Sequence, residues 1–394
     1  MKRVFFATWM LLLGIMSEGV WASEGNQIDV QIIAHSQGPD RPSSVVTVLI
    51  RNLGSGPVFI TRALSPLVTP QGHLMTNIFE VHSADGGETK FIGRHVRVSP
   101  VNPSTFFIKI DPGQSASHDM DLAADYDLSR GGAFVIRYDQ SYSTNYHMND
   151  EGEIDSDLHF QSSEIATINV SQETASAISK SFAFAPASDP AQQCTAAQKD
   201  IIGQAMWTGN PIVYAAQQGI ESLYSVKENP DPSGYPTYQG QLKQDNAYTY
   251  WFGAPVNNTA IHYAEPSYTD FWKTDDDYVM MRFMNSVFLR AGTGSVMCGC
   301  DPVDYPDTAA WTEDENLVVH YCDKFFALKM INGTSDSQVL TVIHELSHFI
   351  DMWGPGTGDY AYGQSGSNAL TVSNRAKAVR NADNLMYYIG KYVH

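Results

Sequence analysis

"TVIHELSHFIDMWGPGTGDYAYG", residues 341–363, places two histidines four apart, sets a glutamate beside the first, breaks on Gly-Pro-Gly and recovers with an aspartate. Val339, Leu340, Val342, Ile343, Leu346, Phe349 and Ile350 form an apolar stripe at three- and four-residue intervals, which predicts a helix. Ser335 and Gln338, three apart, are expected to form a capping box at its start. At 3.6 residues per turn His344 and His348 share one face, while Glu345 stands one residue round. Trp353-Gly354-Pro355-Gly356 is expected to stop the helix, because Pro cannot continue it and Gly permits a tight reversal. Asp359 then returns to face the two imidazoles.

This is the HExxH pattern, in which paired imidazoles hold a zinc ion and the glutamate acts as general base. A hydrolytic zinc site keeps three protein ligands and one open position, so a donor from outside the helix is required. His344, His348 and Asp359 are the candidate ligands and Zn²⁺ the expected cofactor.

Outward from this stretch, the 394-residue chain exceeds the size at which one core stops growing, so two folding units are expected. The 24 Lys+Arg against 43 Asp+Glu give a formal charge of −19, which argues against nucleic acid or an anionic membrane as partner. Lys2 and Arg3, an apolar run from Val4 to Met16 and the small-residue site Val20-Trp21-Ala22 predict a secretory signal peptide over residues 1–22. That run is too short for a permanent membrane anchor, so a secreted, extracellular protein is expected. The four cysteines, Cys194, Cys298, Cys300 and Cys322, suggest two disulfides in an exported chain. Cys298 and Cys300 lie too close in sequence to bridge each other comfortably. That leaves Cys194–Cys298 with Cys300–Cys322, or Cys194–Cys300 with Cys298–Cys322.

Residues 23–170 read as short strands between Gly/Pro/Asp turns, as in "SVVTVLIRNLGSGPVFIT" and "TFFIKIDPGQSASHDMDL", which predicts an all-β immunoglobulin-like sandwich. Residues 171–190, rich in Ser, Ala and Pro, read as a linker. From 191 to 394 the period turns helical, in "TAAQKDIIGQAMWTGNPIVYAAQQGIESLYS", "DDDYVMMRFMNSVFLRAG" and "NALTVSNRAKAVRNADNLMYYIGKYV". Two short strand candidates, "GSVMCGC" and "NLVVHYC", lie between the second and third, so this unit is mainly α with some β.

"GTGDYAYG", Gly356 to Gly363, following an HExxH helix in a chain with a leader, resembles the signature of the aspzincin metalloendopeptidases. The resemblance covers roughly residues 181–394. It implies a zincin-type metalloprotease domain with His344, His348 and Asp359 as zinc ligands, Glu345 as general base and Tyr362 assisting the transition state. It favours the pairing Cys194–Cys298 and Cys300–Cys322. It also implies a secreted precursor, so the β-rich first half is expected to be an inhibitory propeptide, released by cleavage in the linker near Lys180. "NADNLMYY", residues 381–388, is similar to the family segment lining a substrate pocket, where lysine-specific members carry an aspartate and, three residues on, a glutamate. This chain has Asp383 but Met386, which implies a preference for basic residues without strict lysine specificity. The expected partners are protein or peptide substrates. Two rival readings are a zinc-stabilised binding or adhesion protein without turnover, and a zinc amidase acting on cell-wall peptides.

Overall fold

The computed structural model describes residues 27–35, 42–98, 107–139, 147–148, 154–155, 159–161, 165–176, 193–229, 237–255, 260–262, 283–284, 286–287, 290, 295–301, 305, 307–313, 317–349 and 356–393. The leader, Lys180 with most of the linker, and the Trp353-Gly354-Pro355 break lie outside them.

The first half is built of strands: β1 (Gln27–Ala34), β2 (Val45–Asn52), β3 (Val58–Thr61), β4 (Phe79–Ser83), β5 (Arg94–Val98), β6 (Phe107–Ile110), β7 (Ser115–Asp121), β8 (Gly132–Tyr138), β9 (His147–Met148), β10 (Ile154–Asp155), β11 (His159–Gln161) and β12 (Ala166–Val170). One sheet runs β11-β1-β2-β7, another β12-β8-β4, and β3 pairs with β6. Val46, Val48 and Ile50 of β2 are fully buried and alternate with partly exposed neighbours, the two-residue period of a strand with one face on a core. That core takes in Val30 from the neighbouring strand β1 and Ile60, Phe134 and Ile136 from the other sheets.

The second half is mixed α and β. The strands are β13 (Tyr224–Asn229), β14 (Thr237–Leu242), β15 (Ala260–His262), β16 (Ser295–Cys298), β17 (Thr308–Glu313) and β18 (Val318–Tyr321). The helices are α1 (Ala196–Leu223), α2 (Asn246–Phe252), α3 (Asp323–Ala327), α4 (Gln338–His348), α5 (Gly363–Ser373), α6 (Arg375–Ala378) and α7 (Ala382–Gly390). Both strand candidates read from sequence correspond to β16 and β18, a parallel pair, whereas β17 between them and the β13–β15 meander were not anticipated. The last helical stretch divides into three, because Asn374 ends α5 and caps α6, its side chain accepting from the Lys377 N–H, and Asn381 precedes α7.

Helix α4 is buried along its whole length and packs against α1 and α7. Gly209 permits the approach of α1: a Cβ there would lie 3.3 Å from Val339 Cγ1. Its N-cap is Ser337, whose hydroxyl accepts from the Leu340 N–H at 3.2 Å, so the expected Ser335–Gln338 capping box is not formed. Gln338 instead turns its amide to the Phe325 carbonyl at 3.3 Å.

Strand β5 joins the two halves. The sheet of the second half runs β16-β18-β17-β5, with Trp311 opposite Val96, Thr312 opposite His95 and Ala310 opposite Arg97. A strand from the first half therefore lies antiparallel along what is otherwise the open edge of β17.

Candidate active site

Each imidazole on α4 is oriented through its Nδ1. His344 Nδ1 lies 2.8 Å from Asp383 Oδ1, and His348 Nδ1 lies 3.0 Å from the Thr357 carbonyl. Both Nε2 atoms are left facing Asp359, at 3.1 Å from Oδ1 for His344 and 3.4 Å from Oδ2 for His348. Partners of this kind on the far ring nitrogen fix the tautomer and raise the basicity of metal-ligating histidines.

The loop carrying Asp359 is held from α7. Asn381 Oδ1 accepts from the backbone N–H groups of Tyr360 at 2.7 Å and Ala361 at 3.1 Å, and its Nδ2 donates to the Ala361 carbonyl. Thr357 N–H bonds the Ser347 carbonyl at 2.8 Å, tying the loop to the end of α4. Asp359 is thus brought to both rings. Asn381 was not singled out from sequence, where an asparagine ahead of a helix reads only as a cap.

Glu345 is fully buried. Its Oε2 accepts from the Thr312 hydroxyl on β17, while Oε1 has no hydrogen-bond partner. Burial pushes its carboxyl up to about 7 against the pull of His344. For His344 burial disfavours the charged ring, yet Asp359 above all carries it up to about 9, whereas burial draws His348 down to about 3. Asp359 is held well below the usual carboxylate range by the two rings despite its burial.

The donor atoms of the site suit a metal ion. His344 Nε2, His348 Nε2 and both Asp359 oxygens are buried, converge, and are not aligned as hydrogen bonds to any partner. Two rings that cannot both be charged face one carboxylate, and a single dication satisfies all these donors at once. Two imidazoles and a carboxylate are donors suited to zinc. Among the described residues, the group whose ligand atoms all lie within 4.8 Å of one another is His95, His348 and Asp359.

His95 and Arg97, both from β5, went unnoticed in the sequence. The His95 ring stacks on His348, with centroids 4.6 Å apart and planes at 11°, and its Nδ1 is 3.9 Å from Asp359 Oδ2. Arg97 is buried with its guanidinium against Asp383 and 2.7 Å from Asp336 Oδ1. Asp383 also accepts from the Gly363 N–H at 2.7 Å, so the carboxylate read as a substrate anchor is enclosed by His344, Arg97 and the start of α5. Burial would raise Asp383, but Arg97 and His344 hold it low. Tyr362, also buried, donates its hydroxyl to the Val96 carbonyl at 2.7 Å. The disulfides are Cys194–Cys298 and Cys300–Cys322.

Several known proteins are similar to this chain. Residues 237–390 match the aspzincin family model, described as lysine-specific metallo-endopeptidase. The chain is 25% identical to a peptidyl-Lys metalloendopeptidase of Grifola frondosa over 402 residues, covering 97% of each, and 26% identical to one of Armillaria mellea, covering 79% of this chain and 78% of that one. An extracellular protease of Aeromonas hydrophila is 24% identical across 96% of this chain and 95% of its own. A solved zinc peptidase from Grifola frondosa covers 50% of this chain and 96% of that chain, at 21% identity and a TM-score of 0.37. An HExxH helix and a following aspartate, in a chain with these relatives, define a zinc metalloendopeptidase. Residues 237–390 are thus similar to the aspzincin family, and the full-length relatives named as peptidyl-Lys metalloendopeptidases support the same family.

Proposed function

We propose that this protein is a secreted endopeptidase made as a latent precursor, in which His344, His348 and Asp359 hold one zinc ion and Glu345 activates water for attack on a peptide carbonyl. Zinc bound there supplies Lewis acidity, polarising the carbonyl and lowering the pKa of water from 15.7 to about 7. Glu345 takes the water proton and returns it to the departing amine. The Thr312 hydroxyl fixes one oxygen of Glu345 and leaves Oε1 for the water. Tyr362 donates a hydrogen bond to the carbonyl oxygen as charge develops on it, and burial keeps its hydroxyl protonated far above neutral pH. Asp383 holds the His344 ring through Nδ1.

The observation that carries this reading is the convergence of the two Nε2 atoms on Asp359, with Glu345 adjacent and buried. The relatives named for lysine specificity, together with the acidic residues Asp383 and Asp336 closing on Arg97, favour a preference for basic side chains. Secretion is supported by the leader-like residues 1–22 and by the relative named as extracellular. Among the described residues no helix is long and apolar enough to cross a membrane. Latency is supported by the position of β5, with the β-rich first half acting as propeptide and the linker near Lys180 as the place of release.

The test is casein hydrolysis by the processed protein, wild type against Glu345→Gln. We expect Glu345→Gln to keep its zinc and lose activity by about 10²–10⁴-fold. Unchanged hydrolysis would refute the base assignment, and hydrolysis confined to cell-wall peptides would favour an amidase.

A further inference from the structure

We propose that β5 is a substrate-shaped plug in which His95 supplies a fourth ligand to the zinc, so that the Val96–Arg97 bond is presented to the catalytic groups but not cut. This rests on the reading of the site as a zinc peptidase.

Three observations on one five-residue strand converge. First, β5 runs antiparallel along β17 with Trp311 opposite Val96, which is how an extended peptide adds itself to an open sheet edge. Second, the Val96 carbonyl accepts from Tyr362 at 2.7 Å, the hydrogen bond assigned above to the carbonyl under attack. Arg97, the next residue, puts its guanidinium on Asp383, so the side chain following that carbonyl occupies the acidic pocket. Third, residues two apart on a strand share a face, and His95 therefore points to the same side as Arg97. Its ring lies against His348 and belongs to the His95–His348–Asp359 group that can hold a metal.

The first two observations alone describe a peptide about to be cleaved. The third explains why the strand can persist. A hydrolytic zinc site needs an open position for water, and an imidazole there closes it. When His95 is replaced by a side chain that cannot ligate, water regains its place and the plug becomes a substrate. The hydroxyl of that water then adds to the Val96 carbonyl carbon, the bond to the Arg97 nitrogen breaks, and the remaining proton goes to the Arg97 amine.

The test uses the intact chain loaded with zinc, X-ray absorption at the zinc edge, and mass spectrometry of the protein on standing. Wild type should show three imidazoles and a carboxylate and stay whole at Val96–Arg97. His95→Ala should show two imidazoles with a solvent oxygen and release a fragment beginning at Arg97, and adding Glu345→Gln to it should stop the release. Two imidazoles in wild type overturn the proposal while leaving the peptidase reading intact, and that measurement stands even where His95→Ala does not fold. A His95→Ala chain that keeps zinc but is cut elsewhere, or not at all, also overturns it. Absence of zinc from the wild-type chain defeats both readings.

Discussion

The candidate site residues come in pairs, one touching the cluster and another holding it. His344 depends on Asp383, His348 on the Thr357 carbonyl, Glu345 on Thr312 and Asp359 on the loop that Asn381 clamps. Asp383→Asn is expected to weaken zinc binding by about 10–100-fold, read by competition with a chromophoric chelator, because the carboxylate orients the His344 ring. Tyr362→Phe is expected to lower kcat of the processed enzyme by about 10²–10³-fold with KM nearly unchanged, since its hydrogen bond gains strength as the carbonyl takes up charge. A raised KM with kcat unchanged would assign Tyr362 to binding. The touching residues were legible in sequence because they lie within nineteen positions on a helix and its return loop. Thr312, His95 and Arg97 were not, because strand pairing brings them in from afar and a His or Arg on a short strand reads as a solvated face.

At the scale of elements, α4 is the scaffold of the site, and its register depends on its start. Ser337 rather than Ser335 caps it, so Ser337→Ala is expected to destabilise the fold by about 1 kcal/mol in a denaturant titration, and Ser335→Ala far less. The reverse order would restore the capping box. The apolar stripe made α4 readable, but it did not locate the first turn, because two serines lie in reach and the choice belongs to the Lys329–Gln338 and Met330–Val339 backbone contacts that set the entry of the chain. Likewise the last periodic stretch gave one helix in sequence and three in the fold. Asn374 interrupts it by capping α6 through the Lys377 N–H, whereas the Asn381 side chain serves the Tyr360 and Ala361 N–H groups and so holds the Asp359 loop. Strand β17, "TAAWTE", carries no alternation, being covered on both faces, and so lacked the period that marks β2.

For the whole molecule, the two halves meet where the chemistry is. Beside the β5–β17 pairing, Lys377 of α6 bonds Asp139 at the end of β8, and the Thr76 hydroxyl donates to the Asp359 carbonyl at 3.3 Å. The Cys194–Cys298 disulfide closes a separation of 104 residues from the start of α1 to β16. Replacing both cysteines by alanine is expected to cost about 2–5 kcal/mol, seen as a lowered melting temperature of the protein. Metal belongs to the same balance, because zinc that binds only the folded state stabilises it by about 4.1 kcal/mol when free zinc is 1,000 times Kd. EDTA should therefore lower the melting temperature reversibly, and an unchanged melt would indicate that the donors are satisfied without a cation. The measurement that bears most directly on the central claim is anomalous diffraction at the zinc edge from crystals of the zinc-loaded chain. We predict a single strong peak bounded by His344 Nε2, His348 Nε2 and a carboxylate oxygen of Asp359; no peak there, or a metal held without Asp359, would contradict the account.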